Sequence, residues 1–327
     1  MQYRKFQAVQ VAEVGLGTWQ LGSADWGTID KEEAFKILQT YVDEGGNFID
    51  TADVYGMGVS ETLIGEFLKT QTKELFVATK LGRRHDGANG WPQNFTYDAI
   101  RRHVEDSLTH LQQSQLFLEQ LHCIPTETMR QGDVFRHLAR LQQEGLIRYW
   151  GASVETSEEA LLCMEHEGLA SLQIIFNLFR QHVAEEVFAK AAAKEVALII
   201  RVPLASGLLS GKFTATTTFA EKDHRNYNAD GAAFNAGETF SGVEFSRGVA
   251  VAGKMKELLP AGNMATAAIR WILDHPEVTT VIPGASKVSQ VTGNNAASAT
   301  TPLTEDIHKQ LRTLYNTEVL PFIRGHY

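Results

Sequence analysis

From about residue 12 the chain alternates short apolar runs with longer amphipathic ones. The segments EVGLGTWQL, KEEAFKILQTYVDEGG, NFID, SETLIGEFLKTQ and ELFVATKL read in turn as strand, helix, strand, helix and strand. The pattern continues with DAIRRHVEDSLTHLQQ as helix, QLFLEQLHC as strand, DVFRHLARLQQEGL as helix and YWGASV as strand. SEEALLCMEHEG and EEVFAKAAAKE then read as helices on either side of the strand LQIIFN, with ALIIRVPLA as the strand after them. Residues 206 to 243 break the rhythm: they are rich in Gly, Ser, Thr, Asn and Asp and predict a long loop after the seventh strand. Helices around Phe245 to Leu259 and over TAAIRWILDHPE follow, then an eighth strand, TTVIPG, a helix from about Lys287 and a last helix over EDIHKQLRTLYNTEV.

Eight βα units without a compositional break predict an α/β fold made of one closed (β/α)8 TIM barrel spanning residues 1 to 327, with an extra C-terminal helix. The competing open, doubly wound sheet carries a GxGxxG turn after its first strand. Here that position reads Gly15, Leu16, Gly17, Thr18, Trp19, Gln20, and Gln20 stands where the third glycine is required. In a barrel the chemistry gathers at the carboxyl ends of the strands, and the search for a site narrows to those residues.

Composition removes several function classes. The net charge is -9, and the basic pairs Arg83-Arg84 and Arg101-Arg102 are the longest of their kind, which argues against nucleic-acid binding. No stretch has the roughly 18 apolar residues of a membrane span, and MQYRKFQAVQ has no apolar leader core, so a soluble cytoplasmic protein without membrane insertion is expected. Two cysteines, Cys123 and Cys163, make no disulfide framework and no CxxC pair. Cys123 adjoins His122, but neighbours on a strand face opposite ways, so packing is the expectation for that thiol.

The strand ends hold an uneven share of titratable groups. The second strand ends at Asp50 with Tyr55 just beyond, the third at Lys80, the fourth at His122 and the fifth at Ser153, while the sixth carries Gln173 and ends near Asn177. Singly these residues read as a helix cap, a rim phenol, a solvated tip and a wall histidine. Together they have a chemical logic. An ammonium at Lys80 would lower the phenol of Tyr55 from its usual pKa of about 10, a carboxylate at Asp50 would hold that ammonium charged, and a neutral His122 would donate to a bound carbonyl oxygen. The set predicts carbonyl reduction, with hydride delivered to carbon and a proton to oxygen. Metal catalysis is not expected, because His122 is the one strand-end histidine and no HxH occurs; a GxSxG turn for acyl transfer is absent as well.

The ordered motifs GLGTW (15–19), DTADVYG (50–56), VATK (77–80), LHC (121–123), GASV (151–154), PLASGLLSGKF (203–213) and VIPGASKVSQVTGNN (281–295) resemble the aldo-keto reductase family, in particular bacterial members similar to the inositol-operon oxidoreductases. The resemblance implies a catalytic tetrad of Asp50, Tyr55, Lys80 and His122, with Tyr55 as proton donor and NADP(H) as hydride source. It implies that Gly17, Thr18, Trp19 and Asp50 edge the nicotinamide, that Ser153 and Gln173 hold its carboxamide, and that Leu204, Ser206, Gly207, Leu209, Gly211 and Lys212 wrap the pyrophosphate. Gly284, Ala285, Ser286, Lys287, Gln290 and Asn294 would hold the adenosine end, and Lys287 at a helix start favours a 2′-phosphate and hence NADP over NAD.

The chain departs from the family pattern at two positions. Arg201 stands where many relatives place a nicotinamide-stacking tyrosine, and Val154 where many have asparagine. In the long loop, Arg225 either closes over the cofactor or is solvated. Substrate walls are expected from Trp19, Trp26, Tyr55, Trp91 and His122, with loop residues from 215 to 240, and the aromatic walls suit apolar aldehydes and sugar rings alike. The expected partner is therefore a small carbonyl compound or a sugar. The same tetrad running backwards gives a sugar or polyol dehydrogenase, and relatives of this barrel also serve as cofactor-binding regulatory subunits of membrane proteins.

Overall fold

The computed structural model describes residues 1–22, 29–84 and 95–325. Ten strands are present among them. Tyr3–Phe6 (β1) and Val9–Ala12 (β2) form an antiparallel hairpin. The other eight, β3 (Leu16–Gly17), β4 (Phe48–Asp50), β5 (Phe76–Leu81), β6 (Leu116–His122), β7 (Ile147–Ser153), β8 (Leu169–Ile175), β9 (Ala197–Arg201) and β10 (Val278–Val281), pair in parallel in chain order. The ring closes through Val14 to Val281 and Gly17 to Gly284, with the Gly15 amide donating to the Val281 carbonyl at 2.8 Å. Helices cover the outside, giving the (β/α)8 TIM barrel.

The periodicity behind these elements is visible in their burial. In the helix Lys31–Asp43 the buried positions are Ala34, Ile37, Leu38, Tyr41 and Val42, one stripe of the surface, and the Asp30 carboxylate caps its start by accepting from the Glu33 amide at 2.8 Å. Every residue of β5 is buried, as expected of a parallel strand covered on both faces.

Two sequence readings change at the amino end. EVGLGTWQL is a strand only over Leu16–Gly17, and Trp19–Gly22 turns into a short helix. The hairpin β1–β2 was not anticipated, since its polar alternation over four-residue strands gives no barrel signal. It seals the amino-terminal mouth of the barrel. Phe6 packs 6.2 Å from Phe48 and 5.4 Å from Phe117, and the Asn47 side chain ties the hairpin to the start of β4 by accepting from the Ala12 amide at 2.7 Å. With that end plugged by aromatic rings, the opposite rim is left for the site. The loop after β9 is long, as expected, and is broken into short helical turns at Ala205–Ser210, His224–Tyr227, Ala236–Glu238 and Phe240–Gly242. No helix among the described residues is long and apolar enough to cross a membrane.

Candidate active site

The carboxyl ends of β4, β5, β6 and β8 converge on one buried carboxylate. Register pairs Lys80 with Gln120, and Ser153 with both His122 and Gln173, so these side chains stand at neighbouring heights. Asp50, only 2% exposed, accepts from the Lys80 ammonium on Oδ1 at 2.5 Å, and on Oδ2 from Gln173 at 2.7 Å and Gln120 at 3.4 Å. The ammonium also donates to the Thr51 carbonyl at 2.7 Å and to the Tyr55 hydroxyl at 3.3 Å. A polar layer thus caps the apolar barrel core, and Asp50, Gln173 and the Tyr55 phenol stand on its cavity side.

Tyr55 is presented by a tight turn. Its backbone folds back onto Ala52, and Gly56 follows with φ +63. A side-chain carbon at Gly56 would lie 1.9 Å from the Gly22 carbonyl oxygen, so glycine is required there on both counts. The phenol ring stands edge-on to His122 at 6.0 Å and lies parallel to Trp19 at 6.1 Å.

Burial and charge set the protonation states. Burial holds the His122 imidazole well below its usual range, and Arg83, Lys80 and Arg201 push the same way, so the ring is neutral at pH 7. Its Nδ1 has no hydrogen-bond partner among the described residues. Burial works against the Lys80 charge but is outweighed by Asp50 and Tyr55, and the ammonium persists. For Tyr55 the expectation of a lowered phenol is corrected. Burial raises it, Lys80 only partly offsets that, and Asp50 adds to the rise, so the hydroxyl is protonated across the physiological range.

These groups open onto a cavity of about 330 Å³. Gly17, Thr18, Trp19, Asp50, Tyr55, His122, Ser153, Gln173, Arg201, Leu204, Ser206, Gly207, Lys212, Arg225, Gly284, Ser286 and Gln290 all line it. Leu209 is fully buried in the core, and Gly211, with φ +67, turns the chain against Met264; neither is on the cavity wall. Lys287, exposed, occupies the N-cap position of the helix Val288–Asn295 without a side-chain cap hydrogen bond, and Asn294 donates to the Gly284 carbonyl at 3.5 Å; neither is on the cavity wall. Trp26 and Trp91 lie outside the described residues.

The two departures are accounted for together. The Arg201 guanidinium donates to the Val154 carbonyl at 3.1 Å and to the Cys123 thiol at 3.4 Å, and it faces Glu238 at 3.5 Å. Arg225 pairs with Asp223 through two hydrogen bonds of 2.9 and 2.5 Å while lining the cavity, a third arrangement beside the two expected. Cys123, at φ +48, leaves the strand alternation and joins this rim, where burial keeps its thiol protonated. Of the loop residues 215 to 240 expected to wall the pocket, His224 (buried and 4.9 Å from Trp19), Arg225 and Glu238 line the cavity without having been singled out as walls by number, and Phe213, just before that stretch, lines it too. The loop's composition carries no period, so sequence could name the stretch but not which of its side chains face the cavity. Cys123, Glu155 and Glu238 bring ligand-type atoms within 4.8 Å of one another, yet Arg83 and Arg201 stand against them and oppose a cation.

A parallel barrel with a lysine-held phenol and a neutral imidazole at its carboxyl rim is the framework of a barrel oxidoreductase. The chain belongs to the aldo/keto reductase family, which it matches over residues 13–316. It is 29% identical to the oxidoreductase YqkF of Bacillus subtilis over 308 residues, covering 93% of each chain. Among solved structures it is similar to a glycerol dehydrogenase from Gluconobacter oxydans, with a TM-score of 0.81 and 28% identity over 97% of this chain and 96% of that one. An aldo-keto reductase from Klebsiella pneumoniae in complex with NADPH shares the fold, with a TM-score of 0.69 and 21% identity over 96% of each chain.

Proposed function

We propose that the chain is an NADP(H)-dependent oxidoreductase that reduces an aldehyde or ketone to an alcohol, with Tyr55 giving the proton to the carbonyl oxygen. The carrying observation is the continuous line from Asp50 to Lys80 at 2.5 Å and from Lys80 to the Tyr55 hydroxyl at 3.3 Å, ending on the cavity that His122 also lines. Tyr55 holds a proton at neutral pH, and Lys80 stabilises the phenolate once that proton has gone. A neutral His122 donates to the same oxygen and fixes its orientation, and Asp50 keeps Lys80 in place.

The wall suits an extended dinucleotide. Ser153 and Gln173 offer the polar groups for a carboxamide, Lys212 and Arg225 offer positive charge for a pyrophosphate, and Ser286 and Gln290 with the exposed Lys287 offer an end for a 2′-phosphate. When bound, the nicotinamide supplies the hydride. The aldo/keto reductase membership supports this reading, as does the NADPH held by the Klebsiella structure.

The reverse reaction, oxidation of a sugar or polyol, uses the same groups with Tyr55 accepting the proton, and the similarity to a glycerol dehydrogenase favours keeping it. Fluorescence titration with NADPH and NADH, followed by turnover assays on aldehydes and polyols, tests the proposal. NADPH binding with aldehyde turnover supports it; a preference for NADH overturns the role of Lys287; binding of neither cofactor overturns the whole reading.

A further inference from the structure

Asp53, Glu61 and Glu119 are each almost sealed from water, and none of them lines the cavity. Register pairs Thr79 with Glu119 and Lys80 with Gln120, so strand alternation turns Thr79 and Glu119 outward to the helices while Lys80 and Gln120 face the rim. In this outer layer the Asp53 carboxylate accepts from Arg84 Nε at 2.8 Å, and Arg84 Nη1 donates at 2.5 Å to Asp106 on the helix Tyr97–Leu111. Glu61, on the helix Val59–Leu68, accepts from the Thr79 hydroxyl at 2.6 Å and stands 3.0 Å from His110 Nδ1. The His110 ring in turn packs on Gly58, where a side-chain carbon would lie 2.5 Å from it.

Burial raises the carboxyls of both Asp53 and Glu119; Arg84 opposes this, and the charge of Glu61 adds to it. An apolar layer would join helix to barrel at lower cost, so the charges are kept for something besides adhesion. Their placement shows what that is. Asp53 stands two residues before Tyr55, and Arg84 four residues after Lys80. The Asp53 amide donates to the Lys80 carbonyl at 3.1 Å while its side chain holds Arg84. The turn and the strand end are thus tied at two points beside the place where the Lys80 ammonium and the Tyr55 hydroxyl meet across 3.3 Å.

Resting on the carbonyl-reducing reading of the same site, we propose that Asp53 and Arg84 are positioning residues that hold Tyr55 at hydrogen-bond distance from Lys80, with Glu61 and His110 steadying the far side of the same turn. A brace that only stabilises the fold is the alternative that the test must separate. The two differ in the alkaline limb of reduction. Lys80 pulls the phenol down, so a turn that drifts away from Lys80 moves the limb to higher pH. Removing the Asp53 charge acts by itself in the opposite direction, because a nearby negative charge raises a phenol. An upward displacement in Asp53→Asn therefore reports geometry and not charge.

The test measures reduction of propanal and glyceraldehyde across alkaline pH by wild type, Asp53→Asn and Arg84→Lys, which keeps the positive charge but loses the Nε donor. NADPH affinity and thermal midpoint are read on the same preparations. Each variant is expected to lose about tenfold in kcat, with KM and NADPH affinity within about twofold of wild type. Its limb should move up by about half a pH unit or more. If Asp53→Asn does not fold, Arg84→Lys carries the comparison. Wild-type kcat in the variants, a limb that stays put or moves down, or collapse of both variants would overturn the proposal alone. Failure of wild type to reduce either aldehyde with NADPH or NADH would instead overturn the reading of the site as a reductase, and this proposal with it.

Discussion

The Lys80 ammonium lies 2.5 Å from Asp50 Oδ1, and both side chains are almost sealed from water. Removing one partner of such a pair leaves a buried charge uncompensated, which costs about 3–5 kcal/mol, whereas removing both costs far less. Lys80→Met is therefore expected to lower stability by about that amount, and Lys80→Met combined with Asp50→Asn to recover most of it without recovering activity. Denaturant unfolding of the three proteins checks this; a double variant no more stable than the single one contradicts it.

The alkaline limb of carbonyl reduction reports loss of the donor proton. Because burial and Asp50 place the Tyr55 hydroxyl above its usual value of 10.0 despite Lys80, kcat/KM for reduction should stay level through neutral pH and fall only above that value. Lys80 is the group that pulls the phenol down, so residual activity in Lys80→Met should show the limb displaced to higher pH. An unmoved limb would mean that Lys80 does not tune the phenol.

Acid sensitivity follows from His122. Its folded-state pKa is depressed below the ordinary 6.5, so as pH falls through 6.5 the unfolded chain takes up a proton that the folded chain refuses, and stability declines. His122→Gln removes that uptake. The stability lost on going from pH 7 towards pH 5 should be smaller in the variant than in wild type, as measured by denaturant midpoints across that range.

Gly56→Ala tests the turn that presents Tyr55. The new methyl would meet the Gly22 carbonyl at 1.9 Å on a backbone with φ +63. Strain of this kind costs on the order of 1–3 kcal/mol, and relief by moving the turn shifts the phenol, so both the thermal midpoint and kcat should fall. An unchanged kcat would show that the turn is not what positions the hydroxyl.

Much of this was legible in residue order. NFID, ELFVATKL, QLFLEQLHC and LQIIFN are apolar runs of strand length between amphipathic helices, and their last polar residues sit at the rim because a parallel barrel sends every strand the same way. The hairpin at Tyr3–Phe6 and Val9–Ala12 was not legible, since two four-residue strands plugging a barrel mouth obey no barrel period. Arg201 reads from sequence as a substitute for a stacking ring; its bond to the Val154 carbonyl reaches a residue 47 positions earlier, and its contact with Glu238 depends on a loop residue 37 positions later. The sign of the Tyr55 shift was missed for a related reason. The pull of a nearby ammonium is visible in the strand ends, but the burial that outweighs it is a property of the assembled rim.

The most direct test of the central claim is NADPH consumption in the presence of an aldehyde by wild type and Tyr55→Phe, with cofactor affinity measured on the same preparations. Loss of a positioned general acid lowers turnover by roughly 10²–10⁴-fold, and that loss with cofactor affinity nearly intact is the result predicted here. Turnover by Tyr55→Phe at the wild-type rate would contradict the assignment of the proton donor and, with it, the account of the rim.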